Sequence, residues 1–300
     1  MHPANPHKHG YDMQALVQAL PELGPFVFKN KFQRDTVNFS DPLAVKLLNK
    51  ALLKAQYGLL DWDIPEGYLC PPIPGRLDYL CYLSEFLEKQ GIKPDGPIRA
   101  LDVGTGANLI YPLLADRMFQ WQVIGSDCDE TALVSAQQNI QRNQPLGLNI
   151  QLRQQKDSQK IFTDVIQPDD YFHVTLCNPP FHESQQAAQA GSMRKNKNLN
   201  QNKQKRASNV DKIASKEQLN FAGQANELWC KGGEKRFIQT MIRESIQFKD
   251  QVGWFSCLVS KKETLTSIQK ALKKVNANVV IVPMEQGNKI SRFIAWRIQD

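Results

Sequence analysis

The sequence predicts an α/β fold: a mostly parallel sheet with helices on both faces, closed by an antiparallel hairpin and preceded by a helical extension. Two observations carry this. From Pro97 onward, short apolar runs alternate with stretches of helical periodicity, the pattern of parallel strands joined by crossover helices. The last two runs, Val279–Pro283 and Arg292–Ile298, are joined instead by a turn at Gly287-Asn288 with no helix between them.

The elements follow in order. Met1 to about Gly91 reads as helix and loop. One helix there is well marked, with Ser40 or Asp41 as N-cap, Pro42 in the first turn, apolar residues from Leu43 to Ala55 at helical spacing, and a stop by Gly58. A proline-rich passage, Ile64 to Gly75, precedes a second helix from about Arg76 to Gln90. Ile98–Val103 is the first strand of the alternating part, and Ala107–Asp116 opens a helix. Gln122–Ser126 is the next strand and Glu130–Gln141 the next helix. Asn149–Arg153 and Tyr171–Cys177 are strands, Lys235–Phe248 an amphipathic helix, Val252–Val259 a strand and Leu265–Val275 a helix. Residues 1–94 thus form an extension, and 95–300 the α/β domain, with an insertion at about 185–226.

Composition narrows the class. In 300 residues, 41% are apolar, which excludes wholesale disorder. No apolar run approaches the roughly 18 residues of a membrane span, and Met1–Gly10 lacks the pattern of a secretory signal. Cys70, Cys81, Cys128, Cys177, Cys230 and Cys257 stand singly, the usage of reduced thiols in the cytoplasm rather than a disulfide or zinc framework. His2, His7 and His9 cluster at the amino terminus, where order is not expected, without carboxylates at ligand spacing; no metal site is expected. Net charge is +7, and it is concentrated. Between Gly191 and Gln218 stand Arg194, Lys195, Lys197, Lys203, Lys205, Arg206, Lys212 and Lys216, against only Asp211 and Glu217, so this segment holds +6 of the total. It is rich in Asn, Gln and Ser, and reads either as an arm that seeks polyphosphate or as a solvated linker.

Two motifs carry chemistry. Asp102-Val103-Gly104-Thr105-Gly106-Ala107-Asn108 runs from strand to helix, with glycines that let backbone approach a ligand. The third glycine of a dinucleotide site is replaced by Leu109, and the Lys-Ser/Thr of a P-loop is missing. Asp127, ending the next strand, suits the hydroxyls of a ribose. Asn178-Pro179-Pro180-Phe181 follows the fourth strand. Its prolines stiffen a turn and leave carbonyl oxygens facing outward, Asn178 adds an acceptor, and Phe181 a flat apolar face. Acceptors beside an aromatic plate suit an amino group on a planar π-system.

These motifs, in this order, resemble the class I S-adenosylmethionine-dependent amino-methyltransferases. Further blocks are similar to the ribosomal large-subunit methyltransferase F family: Asn38-Phe39-Ser40-Asp41-Pro42, Tyr68–Tyr79, Ile110-Tyr111-Pro112-Leu113-Leu114 and Gly232-Gly233-Glu234. With Trp254–Lys262 they also resemble the eukaryotic N6-adenine methyltransferases of structured RNAs. The resemblance implies a Rossmann-like, seven-stranded sheet and transfer of a methyl group from S-adenosylmethionine to N6 of one adenine in 23S ribosomal RNA, free or in an assembling subunit. It implies Asn178, Pro179, Pro180 and Phe181 as the catalytic turn. Arg76, Asp102, Gly104, Gly106, Asn108, Asp127 and Asp157 would hold the cofactor, Arg76 meeting its carboxylate and Asp157 its adenine. Lys29, Lys31 and Arg34, with Arg194, Lys195, Lys197, Lys203, Lys205 and Arg206, would grip RNA; a monomer in the cytoplasm is expected. Residues alone leave other readings open: N6-adenine in another RNA or in DNA, a glutamine side chain of a protein, or a non-catalytic RNA-binding scaffold.

Overall fold

The computed structural model describes residues 1–180, 183, 230–286 and 289–299. Its centre is a seven-stranded sheet built from β3 (Arg99–Val103), β4 (Gln122–Asp127), β5 (Ile150–Gln154), β6 (Phe172–Cys177), β7 (Val252–Leu258), β8 (Ala277–Gln286) and β9 (Lys289–Ile298), in the order β5-β4-β3-β6-β7-β9-β8. Strands β3 to β7 are parallel, and β9 pairs antiparallel with both β7 and β8. The order reverses between β3 and β6, the switch point at which a crevice opens above the carboxyl ends of the strands.

Successive strand residues point to opposite faces, and both faces are apolar. In β9, Phe293 and Ala295 join the core on one side, while Ile294 and Trp296 join the core on the other. The first face is covered by α2 (Pro42–Tyr57), α3 (Ile73–Lys89) and α4 (Ile110–Phe119); the second by α6 (Gly233–Ser245), α7 (Lys262–Lys274) and the loop Ile161–Ile166. Helix α5 (Glu130–Arg142) crosses from β4 to β5. α2 starts where its sequence signals say, with the Asp41 carboxylate accepting from Leu43 and Ala44 N–H, and stops at Gly58 in the left-handed region.

Several elements differ from expectation. α4 begins at Ile110 rather than Ala107, because Leu109 is left-handed (φ +52°) and Asn108 Oδ1 caps Ile110 N–H at 3.1 Å. The closing strands are each ten residues, because their pairing continues on both sides of the short apolar runs. The extension adds α1 (Met13–Ala19) and a small hairpin, β1 (Val27–Lys29) with β2 (Asp35–Val37), whose three-residue strands carry too little periodicity to be read. The amino terminus is ordered. Asn5 Nδ2 donates to Pro74 O (2.9 Å) and Asp78 Oδ1 (3.0 Å), and buried His7 shares a 2.6 Å hydrogen bond with Tyr57 Oη. Burial lowers the His7 pKa to about 4, so the ring is neutral.

The extension also clasps the rest of the fold. Trp62 Nε1 donates to Asn108 O at 2.8 Å, Asn139 Oδ1 accepts from Asp63 N–H, and Asn143 Oδ1 from Leu60 N–H. Met13, Leu16, Leu23, Leu48, Leu52 and Trp62 share one core with the sheet residues Val174, Trp254 and Phe293. No described helix is long and apolar enough to cross a membrane.

Candidate active site at the carboxyl edge of the sheet

β3 and β6 are neighbours in register, Val103 opposite Cys177. Gly104 and Asn178 therefore leave the sheet side by side, about 5 Å apart at the strand spacing, and the two chemical motifs share one crevice.

The glycine turn is docked on β4. Gly104 and Thr105 N–H both donate to Ser126 O at 2.9 Å, and Gly106 N–H donates to Asp127 Oδ2 at 2.9 Å. Gly104 has φ +73°, and a side chain added there would meet nothing within 4 Å, so the turn presents bare backbone to open space. Gly125 serves the same turn from below: a Cβ on it would lie 2.8 Å from Thr105 Oγ1. Asp127 Oδ1 accepts from Asp129 N–H at 3.0 Å, which fixes the carboxylate at the strand end; burial raises its pKa against the hydrogen bonds it accepts.

Asp102 is the unusual group. Its side chain is completely buried, and neither carboxylate oxygen has a hydrogen-bond partner among the described residues; buried Thr105 Oγ1 is likewise unpaired. Burial pushes the Asp102 pKa up to about 7, opposed by the nearby Thr105 hydroxyl and Arg76 and reinforced by Asp127. An orphaned buried carboxylate costs several kcal/mol (order of magnitude) unless a cation reaches it. Arg76, on the first turn of α3, is half-buried beside it and donates from Nη1 to Tyr111 Oη at 3.1 Å, its guanidinium 5.5 Å from the Tyr111 ring centroid. A zwitterionic amino-acid group fits this set, with Asp102 for its ammonium and Arg76 for its carboxylate.

At the other motif, Asn178 is half-buried and its side chain makes no hydrogen bond to any described residue; Pro179 is buried and Pro180 half-buried. Phe181 lies outside the described residues, as do Arg194, Lys195, Lys197, Lys203, Lys205 and Arg206. Glu183, three residues past Pro180, has a buttress. Gly232 and Gly233, both at positive φ, open α6 so close to Glu183 that a Cβ on Gly233 would lie 2.7 Å from Glu183 Cγ. Buried Glu234 then accepts from Ser260 N–H at 2.6 Å, tying the loop after β7 to the same helix end.

The remaining sequence-derived residues divide. Asn108 is buried, and its side chain caps α4 and so shapes the turn. Asp157 is exposed and caps its own loop by accepting from Gln159 N–H. The buried residue at that place is Gln155, whose N–H donates to Asp127 O at 2.8 Å and whose amide holds Thr163 O. Lys29, Lys31 and Arg34 are exposed on the β1–β2 hairpin, Lys29 paired with Asp35 at 3.3 Å. The sequence motifs alone give Tyr111, Gln155 and Glu234 no role; Tyr111 and Glu234 lie in blocks that carry the family resemblance, and Gln155 has no signal.

A switch-point crevice holding a glycine turn, a strand-end acid and Asn-Pro-Pro defines a class I methyltransferase that acts on an amino group. The whole chain, residues 1–300, matches the family model described as RNA methyltransferase. It is 49% identical over 297 residues to the ribosomal RNA large subunit methyltransferase F of Christiangramia forsetii, covering 99% of both chains. It is 48% identical to the protein of that name from Pseudoalteromonas atlantica, covering 100% of this chain and 92% of the relative. Among solved structures, it superposes on the human METTL16 catalytic domain in complex with a MAT2A 3′UTR hairpin with a TM-score of 0.78, at 26% identity and covering 100% and 96% of the two chains. For the N-terminal domain of human METTL16 in complex with SAH, the TM-score is 0.76 at 25% identity, covering 100% and 99%. The chain belongs to the ribosomal RNA large subunit methyltransferase F family of RNA methyltransferases.

Proposed function

We propose that this protein uses S-adenosylmethionine to methylate the N6 amino group of one adenine in 23S ribosomal RNA, as a cytoplasmic monomer acting on the RNA or on an assembling large subunit. The single observation that supports this most is the adjacency of the glycine turn and the Asn178-Pro179 turn at Val103 and Cys177. S-adenosylmethionine supplies, when bound, a methyl group made electrophilic by its sulfonium. Asp102 compensates the ammonium and Arg76 the carboxylate of its amino-acid part, while Asp127 accepts from its ribose hydroxyls and Gly104 and Gly106 give it room. Gln155 and the exposed Asp157 flank the loop that borders the adenine.

The nucleophile is weak, because the N6 lone pair is delocalised into the ring. Asn178 Oδ1 and Pro179 O accept its two hydrogens, which turns the lone pair toward the methyl carbon without a general base. Positioning of this kind contributes several kcal/mol (order of magnitude) to the rate. Pro180 rigidifies the turn, and Phe181 stacks on the base once it has left the RNA stack. The methyl–sulfur bond would break as the methyl–N6 bond forms, with S-adenosylhomocysteine as leaving group, and the extra proton on N6 would leave to solvent. Lys29, Lys31 and Arg34, together with the basic residues from Arg194 to Arg206, hold the RNA backbone.

The test is Asn178→Ala. Transfer to ribosomal RNA should be lost while S-adenosylmethionine still binds with unchanged affinity in equilibrium dialysis. Near-normal turnover in that variant contradicts the role given to the turn.

A further inference from the structure

The β1–β2 hairpin carries more than charge. Most large apolar residues among those described are packed away, yet Phe32 is 69% exposed at the hairpin tip, Phe28 50% on β1 and Phe39 51% just before α2. Exposed phenylalanines with no covering element among the described residues mark a contact surface. Lys31 lies over the Phe32 ring at 4.9 Å, and Lys29 and Arg34 flank it.

The tip is held firmly. Asn30 Oδ1 accepts from both Phe32 and Arg34 N–H (2.8 and 3.2 Å), Asn30 N–H donates to Arg34 O at 2.9 Å, and Gln33 takes a left-handed φ of +57° to close the turn. Val37, the last residue of β2 and the partner of Val27, is buried against the core, so the strands are anchored at their base. A rigid turn that displays an aromatic ring to solvent keeps it available at little entropic cost on binding.

Its place in the fold also matters. α2 ends at Tyr57, whose carbonyl accepts from Arg117 Nε on the last turn of α4, the helix that descends from the glycine turn. Midway along α2, Asn49 Nδ2 donates to Pro71 O at 2.7 Å, just before the α3 turn that carries Arg76. The start of α2 is seven residues further up, about 10 Å. The hairpin and Phe39 therefore stand at the end of the molecule where the crevice opens.

We propose that Phe28, Phe32 and Phe39 form a stacking platform for unpaired bases of the RNA substrate, beside the target adenine, with Lys31 and Arg34 on the adjoining phosphates. The proposal rests on the RNA reading given above and specifies which part of the RNA this surface takes. Aromatic faces interleaved with cations suit single-stranded or loop nucleotides, whose bases are free to stack, and give little to a continuous duplex.

The experiment uses the full chain with a ribosomal RNA fragment containing the methylated site, and a fully paired RNA of equal length. Phe32→Ala and Phe28→Ala should each weaken binding to the site RNA about five-fold or more. The salt slope should stay as in the wild type, with cofactor affinity and duplex affinity unchanged. Lys31→Ala should instead lower the slope by about one. Phe32→Trp should retain binding, and its emission should be quenched by the site RNA but not by the duplex. Wild-type affinity in both alanine variants, or a tryptophan emission indifferent to the RNA, overturns the platform. Equal losses on duplex and site RNA overturn it too, as does binding of the patch to a ribosomal protein while RNA affinity is untouched. If the wild-type enzyme methylates RNA normally in those cases, only the platform fails; if it neither binds nor methylates RNA, the proposed function itself fails.

Discussion

If Asp102 receives the ammonium of S-adenosylmethionine as proposed, cofactor binding is pH-dependent in a way that can be calculated. Its carboxyl group is fully buried, and its pKa of about 7 is set by that burial. The groups facing it are Arg76 from α3, Thr105 from the glycine turn, and Asp127 from β4, with Tyr111 of α4 bonded to Arg76. At pH 6 it is ionised in about one molecule in eleven, and at pH 7.5 in about three of four. If only the ionised form receives the cationic end of S-adenosylmethionine, the dissociation constant should be about eight-fold larger at pH 6 than at pH 7.5, or about 1.3 kcal/mol.

The sign for stability follows from the same shift. The folded pKa lies above that of an unfolded aspartate, so the free protein binds a proton that the unfolded chain has released. This group's contribution to stability is present at acidic pH and falls as pH rises toward 7. A bound cation offsets that loss, so the rise in Tm on adding cofactor should grow from pH 6 to pH 7.5. Titration calorimetry in two buffers of different ionisation enthalpy reads both the affinity and the proton released. Asp102→Asn should bind weakly with a flattened profile, and Asp127→Asn serves as the control for the neighbouring carboxylate. A wild-type affinity constant within two-fold over this range, or an unchanged slope in Asp102→Asn, refutes the reasoning.

Other predictions concern the supports of the site. Tyr111→Phe removes the acceptor for Arg76 at 3.1 Å; KM for the cofactor should rise several-fold while kcat and KM for RNA hold, and an unchanged KM contradicts the positioning role. Gly233→Ala forces a Cβ to 2.7 Å from Glu183 in a left-handed residue, so steady-state methylation should fall sharply and Tm with it, by the equivalent of about 1–3 kcal/mol; a wild-type melt would show that the buttress yields freely. Glu234→Ala leaves Ser260 N–H without its buried acceptor, at a cost of about 1–3 kcal/mol measurable by denaturant unfolding. Deleting residues 191–218 should weaken RNA binding and flatten its salt dependence with cofactor affinity unchanged; loss of cofactor binding would assign the segment a structural role.

The strands were legible because each is a short apolar run bounded by turn residues, and their arrangement came from the resemblance to class I methyltransferases rather than from the runs themselves. The strand-end position of Asp127 and the turn at Gly104 and Gly106 were legible for a related reason: tight turns and strand-end acids leave local signatures. What stayed hidden depends on contacts between segments far apart in sequence. Tyr111 matters through Arg76, 35 residues earlier, and Glu234 through Ser260 on the far side of β7. His7 is ordered only because Tyr57, 50 residues on, supplies a buried partner. Asp157 and Asn108 cap local backbone, as polar loop residues often do, so residue type alone does not separate a cofactor role from a structural one there. The exposed phenylalanines of the hairpin look like core in a one-dimensional pattern, and only their accessibility separates them from it.

The destination of the methyl group is the most direct test of the proposed activity. Ribosomal RNA from a strain lacking the enzyme, incubated with the purified protein and isotopically labelled S-adenosylmethionine, is digested and its nucleosides mapped by mass spectrometry. The label should appear as N6-methyladenosine at a single position of 23S RNA, and not with Asn178→Ala. Label on another atom or base, or recovered in a protein glutamine with the RNA unmodified, would contradict it.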